Sequence, residues 1–161
     1  MGAIVQLPFR YLEIATAEIG QTEIEGNVDN PRILEYFKTT SYQAAHDEVS
    51  WCAAFVNWCL VQAGIKGTNS ASALSFANWG VEVRPCLGSV AVIDYGNGKG
   101  HVGFLVGWQG PSFVLLGGNQ GNSVRYKLVY PQSITHCRMP VEILPELAAI
   151  TATSLDYASS R

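Results

Sequence analysis

SWCAAFVNWCLVQAG, residues 50–64, sets a cysteine two residues into what reads as a helix. Ser50 is a good N-cap and Gly64 a plausible stop. Between them Cys52, Phe55, Val56, Cys59, Leu60 and Ala63 follow the i, i+3, i+4, i+7, i+8, i+11 rhythm of one buried helical face. Cys52 is therefore open to four readings: a packing residue, a disulfide partner, a metal ligand or a nucleophile. The rest of the chain has to choose among them.

With 161 residues, 48% of them apolar and 14% charged, the chain has the length and composition of one folded domain with a real core. A net charge of −3 and the lack of a Lys/Arg cluster give nucleic-acid binding little electrostatic support. No apolar run is long enough to span a membrane, so no membrane insertion is expected. MGAIVQLPFR lacks a basic start followed by an apolar stretch, so synthesis in the cytoplasm without a signal peptide is expected. The four cysteines, at 52, 59, 86 and 137, show no CxxC spacing, which argues against a zinc ribbon. Pairing of Cys86 with Cys137 after export stays open.

Outward from the quoted helix, the texture is helical before it and strand-like after residue 88. Pro8 opens FRYLEIATAEIG, which closes at Gly20, and Asn30 caps PRILEYFKTT. A short helix is expected around Ala73–Trp79. Strands are predicted at 88–95, 101–108, 112–118, 123–130 and 134–139, separated by Gly, Asn and Pro turns. Helices followed by an antiparallel meander make an α+β domain, with the sheet packed on the third helix. The single domain spans 1–161 with a core of about 8–140, and no role is assigned to the tail at 141–161.

Cys52 falls in the first turn of its helix, where backbone N–H groups and the helix dipole favour a thiolate and a developing oxyanion. A cysteine nucleophile also needs a base. Of the three histidines, His101 opens a strand after the tight NGKG turn, His46 lies in the polar AAHDE loop, and His136 lies in the last strand. His46 with Asp47 and Glu48 reads as a solvated loop rather than a metal site. Pairing of the strands at 101 and 112 brings residues 117–119 opposite His101, so Asn119 is a candidate to orient the ring. A three-residue turn or a bulge is needed for that contact, and Gly117 and Gly118 make a bulge plausible. Asp94 and Tyr95, which end the strand before His101, are candidates to line a substrate groove. Gln120 is a candidate oxyanion donor or substrate contact. Cys59 reads as core.

WCAAFVNWCL, GSVAVI, GHVGFLVG and VLLGGNQGN, in that order, resemble the CHAP amidase/peptidase family and the wider NlpC-like papain-fold enzymes, which are peptidoglycan hydrolases of bacteria and phages. The resemblance spans roughly residues 10–139. It implies a papain-like fold with Cys52 as nucleophile, His101 as base and Asn119 as the orienting residue. It implies hydrolysis of a peptidoglycan amide without metal or organic cofactor. Two departures stand out. Many relatives carry Glu two residues before the Asn, where this chain has Gly117. Many have Asp or Gln before the cysteine, where Trp51 stands and is expected to wall the cleft.

The expected function is thus a cysteine amidase or endopeptidase acting on peptidoglycan in the wall or periplasm of a target bacterium. A secreted antibacterial effector of the type VI kind, held in check by an immunity protein, is preferred over a phage endolysin. The rivals are a papain-fold acyltransferase and a catalytically inactive wall-binding module.

Overall fold

Asn30 shows how the local sequence signals are used: its side chain accepts the Arg32 N–H at 2.9 Å, and Pro31 fills the first helical position, where no N–H is needed. The computed structural model describes residues 9–25, 29–42 and 50–143. Pro8, the His46–Asp47–Glu48 loop and the tail from residue 144 fall outside them. Helix α1 is Arg10–Ala17, α2 is Pro31–Phe37 and α3 is Cys52–Gln62. A 3-10 helix follows at Ala73–Asn78, where a short helix is expected.

Helix α3 departs from the one-sided helix that its spacing predicts. Every residue from Cys52 to Leu60 is buried, including Ala53, Ala54, Asn57 and Trp58 on the side opposite the apolar stripe. The small side chains at 53 and 54 let neighbours approach. Asn57 is buried because each of its polar atoms is satisfied: it donates to Thr68 Oγ1 and the Ser70 carbonyl, and accepts the Thr68 N–H at 2.7 Å. Trp58 packs against Tyr36 with the rings tilted, and the Arg32 guanidinium lies 5.4 Å from its ring centroid. α3 is the central rod of the domain, covered by α1 and α2 on one side and by the sheet on the other.

The sheet has six antiparallel strands: β1 Val81–Glu82, β2 Val90–Gly96, β3 Lys99–Gln109, β4 Ser112–Gly117, β5 Arg125–Val129 and β6 His136–Met139. Their order is β1-β6-β2-β3-β4-β5. The predicted meander therefore holds from β2 to β5 and fails beyond it. β6 returns to pair with β2, and β1, a two-residue strand too short to leave a periodic signal, pairs with β6. One face, with Val90, Val92, Val102, Phe104 and Leu116, joins the core around α3. The other buries Ala91, Ile93, Leu105, Leu115 and Cys137 in a second cluster.

The feature that makes a site is a mismatch in strand length. β3 pairs with β2 down to Lys99, but with β4 only from Phe104 onward, because the chain leaves β4 at Gly117. Residues 99–103 thus have a strand on one side only. Leu105 donates its N–H toward β2, to Ser89, so alternation turns the Val102 N–H to the vacated side. The start of α3 enters there. Gly118 lies so close to it that a Cβ would come within 2.6 Å of Trp51 and 2.8 Å of Phe55.

Candidate active site

Cys52 is the first residue of α3, so its thiol sits among backbone N–H groups that no helical carbonyl reaches. Donors within hydrogen-bonding reach of the sulfur are the N–H of Val102 from the unpaired stretch of β3, the Ser50 hydroxyl, and the N–H groups of Ala53 and Cys52 itself. They pull the thiol pKa down, but burial is the larger influence and holds it above its ordinary value. The resting group is a thiol inside a cradle built for a thiolate.

Trp51, not Ser50, is the cap residue of α3, and it makes no side-chain cap. The Ser50 hydroxyl is turned to the thiol instead, which the reading of Ser50 as a helix cap did not foresee.

His101 is buried near the start of β3, with 8% of its surface exposed. Its Nε2 lies 2.8 Å from Gln120 Oε1. The Gln120 amide nitrogen donates to the carbonyls of Leu115 and Arg125. Carbonyls only accept, so the NH2 must face them and the oxygen must face the imidazole. His101 Nε2 then carries the proton and donates it to Gln120. This leaves Nδ1 as the basic nitrogen of the neutral ring. Burial pulls the His101 pKa below 6.5; the Gln120 hydrogen bond pushes it up and the Lys127 charge down.

The Gln120 amide fits because two glycines face it. A Cβ at Gly117 would lie 2.9 Å from Gln120 Oε1, and one at Gly103 would lie 3.6 Å from it. Gly117 thus leaves space that an amide from three residues further on occupies.

Asn119 does not take the orienting position. It adopts a left-handed backbone, φ 56°, and its amide donates to Ser50 Oγ at 3.3 Å. The cause lies in the path of the chain. The β3–β4 turn has two residues and a bulge falls between Leu105 and Gly107 on β3, a register that would set residue 119 opposite His101 if the ladder continued past Phe104–Leu116. The chain breaks from the ladder after Gly117, and the turn at Asn119 swings Gln120 back over the sheet to His101. Gln120 is thereby corrected as well. Both of its amide hydrogens are committed to backbone carbonyls, so neither is left for an oxyanion, and its oxygen faces the His101 ring.

Trp51 does not wall a cleft. It is fully buried, donates its Nε1–H to Glu23 at 2.8 Å and packs tilted against Tyr36, with ring centroids 5.9 Å apart. Asp94 is exposed and accepts the Gly96 N–H at 2.8 Å, which shapes the β2–β3 turn. Tyr95 is 61% exposed. Both lie at the strand end beside His101, whose register partner is Ile93. All four cysteines are free thiols, Cys86 and Cys137 included. Among the described residues no group of three or more His, Cys, Asp or Glu could hold a metal, and no helix is long and apolar enough to cross a membrane.

The family model of the CHAP domain matches residues 44–119, a span that contains Cys52, His101 and Asn119 and stops one residue short of Gln120. Among solved structures, the peptidoglycan hydrolase RipB from Mycobacterium tuberculosis is similar, with a TM-score of 0.54 and 13% identity over 88% of this chain and 71% of that one. At that identity the likeness concerns the fold. No curated protein matches the sequence. A helix-initiating cysteine set against an antiparallel sheet, with a histidine near the start of the strand beside it, gives the chain a papain-like α+β fold, and its residues 44–119 are similar to the CHAP domain.

Proposed function

We propose that this protein is a cysteine hydrolase of peptidoglycan amide bonds. The observation that carries the reading is the Cys52–His101–Gln120 arrangement: a thiol ringed by four donors, next in register to an imidazole whose tautomer is set by an amide. Val102, the residue after His101, donates its N–H to the Cys52 sulfur, so base and nucleophile are served by adjacent residues of one strand. The CHAP match and the fold of RipB, itself a peptidoglycan hydrolase, support the substrate class.

In this reading Nδ1 of His101 takes the thiol proton and the thiolate attacks the carbonyl carbon of a stem-peptide or crosslink amide. The oxyanion forms against the N–H groups at the start of α3. The C–N bond breaks as the imidazolium returns its proton to the departing amine. Nδ1 then takes a proton from water, which hydrolyses the thioester and releases the acid. Gln120 stays hydrogen-bonded to Nε2 throughout and keeps Nδ1 in line.

Digestion of purified peptidoglycan by the wild type and by Cys52→Ala, with products weighed by mass spectrometry, tests this directly. New fragments from the wild type alone are expected, and their masses name the bond. No fragments from a protein whose Cys52 reacts with a thiol probe would point to acyl transfer. No fragments and an inert Cys52 would point to a binding module. Action in the wall of a target bacterium as a secreted effector with an immunity protein, rather than as a phage endolysin, rests on the sequence reading alone.

A further inference from the structure

We propose that Glu23 is a positioning residue for the reaction, a strut that fixes the start of α3, where Cys52 sits, against the turn that carries Gln120. This goes beyond the hydrolase reading above and rests on it for the chemistry that the strut serves.

The two halves of the site come from distant parts of the chain. Cys52 starts α3, whereas Gln120 reaches His101 from the turn that follows β4. Their alignment depends on whatever touches both. Trp51 does so first. It is the residue before the nucleophile and is fully buried. Its indole lies so close to the backbone of Gly118, two residues before Gln120, that a Cβ there would come within 2.6 Å of the ring. A turn of the indole would therefore shift the nucleophile against the residue that orients the base.

Glu23 holds the indole in place. Its carboxylate accepts the Trp51 Nε1–H at 2.8 Å. Its backbone N–H donates to the Asn122 carbonyl at 3.0 Å. Asn122 lies inside the turn that closes when the Gln120 N–H donates to the Ser123 carbonyl, also at 3.0 Å. A bridge between Thr22 and Ser123 ties the neighbouring residues to the same turn. Glu23 thus grips the Gln120 turn through its backbone and the Cys52 helix through its side chain.

A plainer role competes with this one. A buried indole N–H needs an acceptor, and any acceptor would serve. That need does not explain why the acceptor stands on the segment bridged to the Gln120 turn. A carboxylate also makes a stronger hydrogen bond than a neutral oxygen. Reacting groups are sensitive to such spacing, since a displacement of about 1 Å can slow a reaction about 10²-fold.

The test uses two readouts, one of them independent of any substrate. The first is the pH dependence of Cys52 alkylation by iodoacetamide, read by peptide mass mapping below the unfolding transition of each variant. Glu23→Ala is expected to move the midpoint up by about half a pH unit or more, because the donors and the imidazole no longer hold the sulfur in line. Easier access to the thiol would change the rate but leave the midpoint where it was. The second readout is kcat and KM on a soluble peptidoglycan fragment, where Glu23→Ala should lower kcat about tenfold and leave KM within about twofold. Glu23→Gln keeps an oxygen for the indole N–H and should recover most of both. Trp51→Phe breaks the same bond from the other end and should reproduce the midpoint shift, with no further shift when Glu23→Ala is added. An unmoved midpoint in Glu23→Ala or in Trp51→Phe, a Glu23→Gln protein as impaired as Glu23→Ala, or additive shifts in the double variant would overturn the strut. Wild-type digestion of peptidoglycan reports on the hydrolase reading separately. A midpoint that follows Glu23 in a protein that releases no fragments sinks that reading alone, and fragments with an unmoved midpoint sink the strut alone.

Discussion

Two cysteines lie on one face of α3, seven residues apart, and the helix treats them in opposite ways. Cys52, at the open N-terminal turn, is surrounded by donors: three backbone N–H groups and the Ser50 hydroxyl. Cys59, in the middle, has no surface exposure, and the nearest influence besides burial is the carboxylate of Glu18. That carboxylate accepts the Tyr36 hydroxyl at 2.7 Å and forms an ion pair with Arg32, whose Nε lies 3.1 Å away. Burial and a neighbouring negative charge both disfavour a thiolate at 59, and its pKa is driven well up. At 52 burial is opposed by every polar neighbour. The contrast belongs to the position, a helix start docked in a gap beside a strand, and not to the residue type.

The strongest way to break this contrast is to remove the reacting groups. Cys52→Ala and His101→Ala are each expected to lower the rate on peptidoglycan by about 10³-fold or more, with thermal unfolding little changed. Wild-type rates in either variant would take that residue out of the chemistry. Native alkylation followed by peptide mass mapping should modify Cys52 and spare Cys59 until the protein is unfolded. Equal labelling of the two would erase the distinction.

Next comes the positioning amide. Gln120→Ala should cost about 10²-fold in kcat. Gln120→Glu places a carboxylate beside Nε2 and should retain more activity while moving the acidic limb of the pH–rate profile upward, since an anion favours the imidazolium. An unmoved limb would mean that residue 120 does not govern the ring. The same histidine carries a stability signature. Its folded pKa lies below 6.5, so the unfolded chain takes up a proton first as pH falls. The contribution of neutral His101 is complete above 6.5 and is lost on descending toward its lower folded value. His101→Gln should flatten that part of the stability curve, as followed by denaturant titration at several pH values.

Smaller effects probe the walls of the site. Gly117→Ala pushes a methyl to within 2.9 Å of Gln120 Oε1 and should reduce activity about tenfold with a modest loss of stability. Asn119→Ala, which removes only a 3.3 Å contact to Ser50, should slow the reaction by no more than about threefold. A loss as deep as that of Gln120→Ala would restore Asn119 to the role the sequence suggested.

Helix and strand periodicity, the Asn30–Pro31 start and the turn glycines were legible because each depends on residues close together in the chain. So were the candidacies of Cys52 and His101, since a helix start and a strand start are local features. The burial of α3 on all sides was not legible, because Ala, Asn and Trp at 53, 54, 57 and 58 are covered by distant partners such as Thr68 and Tyr36. Nor was the placement of β6 beside β2, which only the return of a strand from residue 136 creates. The third site residue turned on a choice of one position. Sequence pairing rules place Asn119 opposite His101, yet the chain leaves β4 at Gly117, so Asn119 falls in a left-handed turn and Gln120 folds back over two glycines. The sequence by itself determined which elements form and which residues could react; the tertiary structure decided which partner holds the base, because a strand's end and the room above a sheet are set by what packs there.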